Sequence, residues 1–367
     1  MADPMRAFRR ILLEPVDRIP HWEHMSNPDF LGLISGVDPY EKPHTAAQRT
    51  LDALPLDMGL GVPAEDKPIP RPAPGETSHT DDAGHRMVRW GDSYTWHWDW
   101  GKSFPSIEAV LAYDPLEDMD QRGRPVVAEG DYRLSPEEMA AQFCGGPPPG
   151  HGAPRAGTFK TAGYYNTIFM WPLLTFGWEL FLELVGAYPE DCKRLLAGFA
   201  ERSRRLFRAW ALTDIDVFIT HDDICCAAGP VCSPKWLREN VYPYYEELFG
   251  ALKAQGIKVV FMTDGNADLV ADDLFACGAD GLVSEPFADW KALAARYPDK
   301  VLVGEGDNRI LMRNNPAEIE AHVRGMCETG KRHPGYFLCC GNHIPWNVPP
   351  EAVKLYFDYS DKYGWMV

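Results

Sequence analysis

The sequence predicts an α/β fold, a (β/α)8 TIM barrel forming a single domain with irregular N-terminal additions. Two observations carry that expectation. From residue 217 onward, short apolar and β-branched runs alternate five times with longer stretches of helical character, and such alternation demands parallel strands joined by right-handed crossovers. The runs also end on polar groups: Thr220-His221-Asp222-Asp223, Thr263-Asp264-Gly265-Asn266, Gly304-Glu305-Gly306-Asp307-Asn308 and Gly341-Asn342-His343. Strands that finish in acids, amides and imidazoles place an active site at the carboxyl-terminal rim of a barrel. No G-x-G-x-x-G or Walker-type loop is present, which weakens the alternative of an open, nucleotide-binding sheet.

Taken in order, residues 5–13 read as a short helix stopped by Pro15, followed by the extended stretch Pro15-Val16-Asp17-Arg18-Ile19-Pro20. Proline and glycine are too dense across 55–74 for a regular element. Trp96, Trp98 and Trp100 recur at a spacing of two, with Trp90 close by, so 85–100 is expected to form a hairpin with these rings on one face. Packing of a small subdomain is the plainer use of that face, and a wall for substrate is the alternative. The run Gly145-Gly146-Pro147-Pro148-Pro149-Gly150 marks 144–154 as a surface loop or a cover over the pocket. Residues 1–150 are thus an N-terminal extension and the first part of the barrel, and 151–367 its main portion.

Within that main portion a strand is expected at 158–162, and largely helical chain at 178–212 with a new helix starting at Pro189. Strands follow at 217–220, 258–262, 281–284, 301–304 and 336–340. Helices follow at 234–255, 267–277, 290–296, 316–328 and 350–363.

With 367 residues, 45% of them hydrophobic, the chain has ample material for a core. A formal charge of −17 argues against nucleic acid or an anionic membrane as partner. The start lacks the apolar middle of a secretory signal, and no run reaches the roughly 20 apolar residues that span a bilayer. Nine scattered cysteines, including the neighbours Cys225-Cys226 and Cys339-Cys340, do not form a disulfide framework. A cytoplasmic protein with reduced thiols is the expectation.

His221, Asp222, Asp223, Asp264, Glu285, Glu305, Asp307 and His343 all fall at strand ends on one rim. Acids that share a low-dielectric cavity must be protonated, paired or bound to metal, which is the setting of general acid and base chemistry. Asp222, Asp223 and His221 are the candidate catalytic groups. Asp264, Glu285 and His343 are candidate ligands of a divalent metal such as zinc, with His221 and Asp222 in reach of the same site. Tyr164, Tyr165, Trp171 and Trp346, with the polar strand-end residues Asn266, Asp307 and Asn342, are candidates to enclose a small-molecule substrate. For each of these the plainer alternative is structural: a helix cap, a salt bridge, a turn or core packing.

Several fragments, in order, resemble the uroporphyrinogen decarboxylase superfamily, which includes zinc-dependent, corrinoid-linked methyltransferases. They are Pro15-Val16-Asp17-Arg18-Ile19-Pro20, Asp222-Asp223 with Gly229-Pro230 and Ser233-Pro234, Lys258 to Asn266, Gly278-Ala279-Asp280-Gly281, Gly304 to Arg309, and Gly341-Asn342-His343-Ile344-Pro345. The resemblance is strong from about residue 158 to the end and weaker before it. It implies a barrel enzyme with a small-molecule substrate and, for the methyltransferases, a corrinoid carried by a partner protein.

Two departures narrow the implied activity. The decarboxylases carry an arginine-rich motif near the amino end, whereas the corresponding stretch here is His21-Trp22-Glu23-His24-Met25-Ser26-Asn27, so porphyrinogen carboxylates have no cationic partner. The family's zinc ligands, a His-x-Cys pair and a Cys, correspond to Met262, Asp264 and Asn342, and a thiolate zinc site is therefore in doubt. The expected function is methyl transfer from a small O-methylated or aromatic compound to a corrinoid protein or another acceptor. Decarboxylation of a small carboxylic acid is the second expectation, and a non-catalytic ligand-binding barrel the third.

Overall fold

The structure is a computed structural model that describes residues 2–69, 71, 78–80, 86–89, 96–98, 104–117, 130–144, 159–341 and 343–366. Its centre is a parallel sheet of six strands: β1 Thr161–Tyr164, β2 Val217–His221, β3 Lys258–Met262, β4 Gly281–Val283, β5 Val301–Gly306 and β6 Tyr336–Cys340, paired in that order. Two further positions extend it past β6. His21 bridges in parallel to Leu338 of β6, and Trp22 bridges in parallel to Met58. Eight parallel positions result, the number a (β/α)8 barrel requires.

The side-chain packing fits a barrel arrangement of these positions. Trp22, Met58, Phe159, Val217, Ile219, Val260, Val283, Val301, Val303, Phe337 and Cys339 form one buried cluster, which draws on the first and last positions alike and so fills the barrel's interior. Their neighbours in sequence, Phe218, Val259, Phe261, Leu302, Tyr336, Leu338 and Cys340, join the separate cluster beneath the surrounding helices. The alternation is that of a strand, period two, with both faces apolar because both are covered.

The helices stand where the alternation places them. Tyr242–Lys253 lies between β2 and β3, Trp290–Arg296 between β4 and β5, Pro316–Arg332 between β5 and β6, and Pro350–Tyr363 follows β6. The stretch expected as one helix at 234–255 is two, Pro234–Asn240 and Tyr242–Lys253, because Pro243 lacks the N–H needed to carry the first through and starts the second instead. Helical chain before 212 starts earlier than expected, as Met170–Ala187 and Pro189–Ala211, the former kinked at Gly177.

The amino-terminal part is more ordered than its composition suggests. Within the proline-rich 55–74 the described residues form no helix or strand, as expected, and Met58 takes a barrel position through an isolated parallel bridge to Trp22. The tryptophan region holds three antiparallel strands, Ser78–Thr80, Arg86–Arg89 and Trp96–Trp98, one more than a hairpin. Trp90, Trp100 and the loop residues 145–154 lie outside the described residues.

Helix Pro4–Ile11 stoppers the barrel's amino end, lending Ala7 and Ile11 to the interior cluster. A buried charge network fastens it. Asp57 accepts from Arg6 at 2.7 Å, Arg18 at 3.0 Å and the amides of Asp3 and His21, and both guanidinium groups are buried. Removing one member of such a network strands charges in a low dielectric. Asp57→Ala is therefore expected to lower the unfolding free energy by about 3–5 kcal/mol in urea denaturation, and a loss below about 1 kcal/mol would show the network to be dispensable.

Candidate functional site at the barrel mouth

The strand pleat sorts the three ionisable residues that end β2. Asp222 is fully buried and points among the helices, where its carboxylate accepts from the amides of Ile168 (2.7 Å), Phe169 (2.9 Å) and Met170 (2.7 Å) and from the Tyr245 hydroxyl (2.6 Å). It thereby satisfies the first amides of helix Met170–Ala187. Burial lifts its carboxyl to about 6 against the pull of these four donors. His221 and Asp223, two apart, share the other face. The His221 Nε2 and Asp223 Oδ1 are 2.7 Å apart, and the Asp264 amide donates to the same Oδ1 at 3.2 Å.

Burial opposes a charge on His221, but Asp223 first and then Asp264 and Asp222 outweigh it and raise the imidazole to about 9. Burial likewise opposes ionisation of Asp223, and the imidazolium overcomes it and holds the carboxyl below its ordinary value. His221 is only 6% exposed, and its Nδ1 has no hydrogen-bond partner among the described residues. The Tyr165 ring stands edge to face against it, centroids 4.3 Å apart.

Asp264 completes the group: one donor atom from each of His221, Asp223 and Asp264 lies within 4.8 Å of the others. The turn behind Asp264 is rigid. Gly265 adopts φ 78°, a Cβ there would lie 2.4 Å from the Cys226 carbonyl, and the Gly265 amide donates to Glu285 Oε2 at 2.7 Å. Glu285 thus holds the turn that presents Asp264.

A second arm reaches the mouth from the first barrel position. Met25–Ser26 pairs in parallel with Ile344–Pro345, and the Ile344 amide donates to the His24 carbonyl at 2.8 Å, so His24 and His343 stand side by side. Burial pushes the His24 imidazole down to about 4, with His343 and His221 adding like-charge repulsion. His24 escaped the sequence reading. The signal was the alternation in His21-Trp22-Glu23-His24, where Trp22 and His24 point in, while His21 and Glu23 meet Tyr356 on the outside.

Other expectations need correction. Tyr164 and Trp171, expected around a substrate, have no exposed surface; the Tyr164 hydroxyl meets that of Tyr132, and the Trp171 Nε1 donates to Ser203. The pleat turns Tyr164 to the helices and leaves Tyr165 for the mouth. Asp307 caps helix Asn308–Met312 and pairs with Arg309, and Asn266 closes a turn onto Asp268. Trp346 is half-buried just past the strand after His343. Asn342 lies outside the described residues.

The donor chemistry decides what metal these residues fit. Met262 and Asp264 supply no thiolate, Cys339 and Cys340 are fully buried with thiols that burial pushes well up, and burial raises Cys225 to about 12. A thiolate-held zinc does not fit. The imidazole and two carboxylates of His221, Asp223 and Asp264 fit a divalent ion bound through nitrogen and oxygen.

Residues 175–363 match the family model described as uroporphyrinogen decarboxylase (URO-D). The uroporphyrinogen decarboxylase of Pseudoalteromonas atlantica is 27% identical over 139 residues, 37% of this chain and 39% of that protein, so the match spans well under half of the relative's length. Among solved structures, a methyltransferase from Methanosarcina mazei superposes with a TM-score of 0.64 at 16% identity, covering 99% of both chains. That likeness supports the barrel fold. Among the described residues no helix is long and apolar enough to cross a membrane.

Folding raises the His221 imidazole from 6.5 to about 9, so the stability gained from its proton is complete below about pH 6.5 and is lost as the pH rises through about 9. Denaturation of the wild type and His221→Gln between about pH 6 and pH 10 checks this: their difference should shrink across that window. A difference independent of pH would contradict the ion pair.

Proposed function

The chain belongs to the uroporphyrinogen decarboxylase family, and from that membership we propose that it is a methyltransferase akin to the corrinoid-linked branch. It moves the methyl group of a small O-methylated or aromatic donor to a corrinoid held by a separate protein, or to another acceptor. The observation that carries this reading is the His221–Asp223 pair at the barrel mouth, beside Asp264 and walled by Tyr165. The full-length likeness in fold to a methyltransferase supports it.

Breaking a methyl–oxygen bond leaves its electron pair on oxygen, which then needs a proton or a positive charge. His221, raised to about 9, holds a proton at neutral pH. Asp223 orients the ring through Nε2, and Nδ1 is the atom from which a proton passes to the leaving oxygen. The methyl group goes to the acceptor's lone pair and the donor leaves as the alcohol or phenol. Asp222 is spent on the helix amides, so the acid role falls to the His221–Asp223 pair. The absence of arginine from the first barrel position, His21 to Asn27, speaks against a polycarboxylate substrate.

Incubation with O-methylated aromatic donors and cob(I)alamin is expected to yield methylcobalamin and an equal amount of demethylated product, with Asp223→Asn lowering kcat about 100-fold. Carbon dioxide from a small carboxylic acid without methylcobalamin would replace the reading by decarboxylation, and a folded protein inert towards every donor class would remove it.

A further inference from the structure

We propose that Tyr165 is a gate over the acid of the mouth: its ring takes the His221 Nδ1–H at rest and swings aside before a donor oxygen reaches that proton. The proposal deepens the methyl-transfer reading and rests on it only for the use made of the proton. His221 Nδ1 is buried and has no hydrogen-bond partner among the described residues, while Nε2 is committed to Asp223 at 2.7 Å. A polar ring edge shut away from water needs a partner. The Tyr165 ring stands against the same imidazole, with centroids 4.3 Å apart and planes at 78°. In such a pair a polarised N–H on the edge of one ring meets the negative face of the other, which supplies the acceptor that Nδ1 otherwise lacks.

The ring can move because it keeps part of its surface in solvent, but the backbone that carries it is pinned on both sides. Tyr164, before it, ends β1 paired with Thr220, its hydroxyl against that of Tyr132. After it, Thr167 donates its amide and its hydroxyl to the His221 carbonyl at 3.3 and 3.0 Å, and Ser203 donates to the Thr167 carbonyl at 2.5 Å. The next three amides are held by Asp222. Rotation about the side-chain bonds of Tyr165 is the motion that remains.

Such a gate selects what opens it. An aromatic face is a weaker acceptor than a lone pair on oxygen, so an ether oxygen replaces it favourably. Water offers the lone pair but no apolar body to take over the surface that the ring buries; an aryl methyl ether offers both. The proton therefore stays on His221 until a donor occupies the place the ring has left. Opening exchanges one weak hydrogen bond for a stronger one, and no covalent bond changes until the methyl group moves.

The test uses the full chain labelled with ¹⁵N-histidine, the His221 Nδ1–H resonance being identified by its loss in His221→Gln. It should lie upfield of the other imidazole N–H signals, because a proton over an aromatic face is shielded. Tyr165→Phe keeps the face and should keep that position. Tyr165→Leu should lose it and exchange the proton with deuterated solvent at least about tenfold faster, and Tyr165→Met decides should Tyr165→Leu not fold. A resonance at the ordinary imidazole position, or an exchange rate that Tyr165→Leu leaves unchanged, would overturn the cover. A wild-type signal that outlasts hours in deuterated solvent would overturn the swing. Signals as expected in a protein that transfers no methyl group would sink the functional reading and leave the gate standing.

Discussion

Asp222 accepts three backbone amides and a phenol hydroxyl in the fully buried layer between sheet and helices, and everything at the mouth is oriented by that choice. A buried carboxylate is tolerable only when its lone pairs are filled, so the direction of its side chain leaves no freedom. Residues 221 and 223 must then point the other way, into the barrel mouth. What looks in the chain like a run of three equivalent ionisable residues is one structural anchor flanked by two members of a site.

The same alternation works at the first barrel position. His21 and Glu23 turn outward, where the Glu23 carboxyl takes the Cys340 amide, the Tyr356 hydroxyl and the His21 ring. This holds the first barrel position to β6 and to helix Pro350–Tyr363. Trp22 and His24 turn inward, the first into the barrel's interior and the second towards His221. The contacts that close the barrel and the imidazole that reaches the mouth are thus set by one two-residue period, and a register slip would forfeit both.

Much of the fold was legible because the relevant information is local. The strands at 258–262 and 336–340 and the helices at 290–296 and 350–363 have the ranges that apolar runs and flanking breakers imply. The barrel position at Met58 was not legible, since it is defined by one bridge to Trp22 inside a proline-rich stretch. The site was legible at the level of strand ends and not of side chains. Choosing between Asp222 and Asp223, or between Tyr164 and Tyr165, needs the inward parity of each strand, which only the closed sheet defines. Asp307 and Asn266 carry the residue types of a site, yet local capping and turn geometry claim them first.

The pairing of the first barrel position with the last has a consequence for how the chain is made. Glu23 finds the Cys340 amide 317 residues further on, and helix Pro4–Ile11 has Arg10 bonded to carbonyls at 330, 333 and 336. During synthesis these early segments emerge long before their partners exist, so Trp22 and the buried arginines must wait exposed until β6 is released. The packing of the amino-terminal segment is therefore a late step of folding, completed only once the last strand is available.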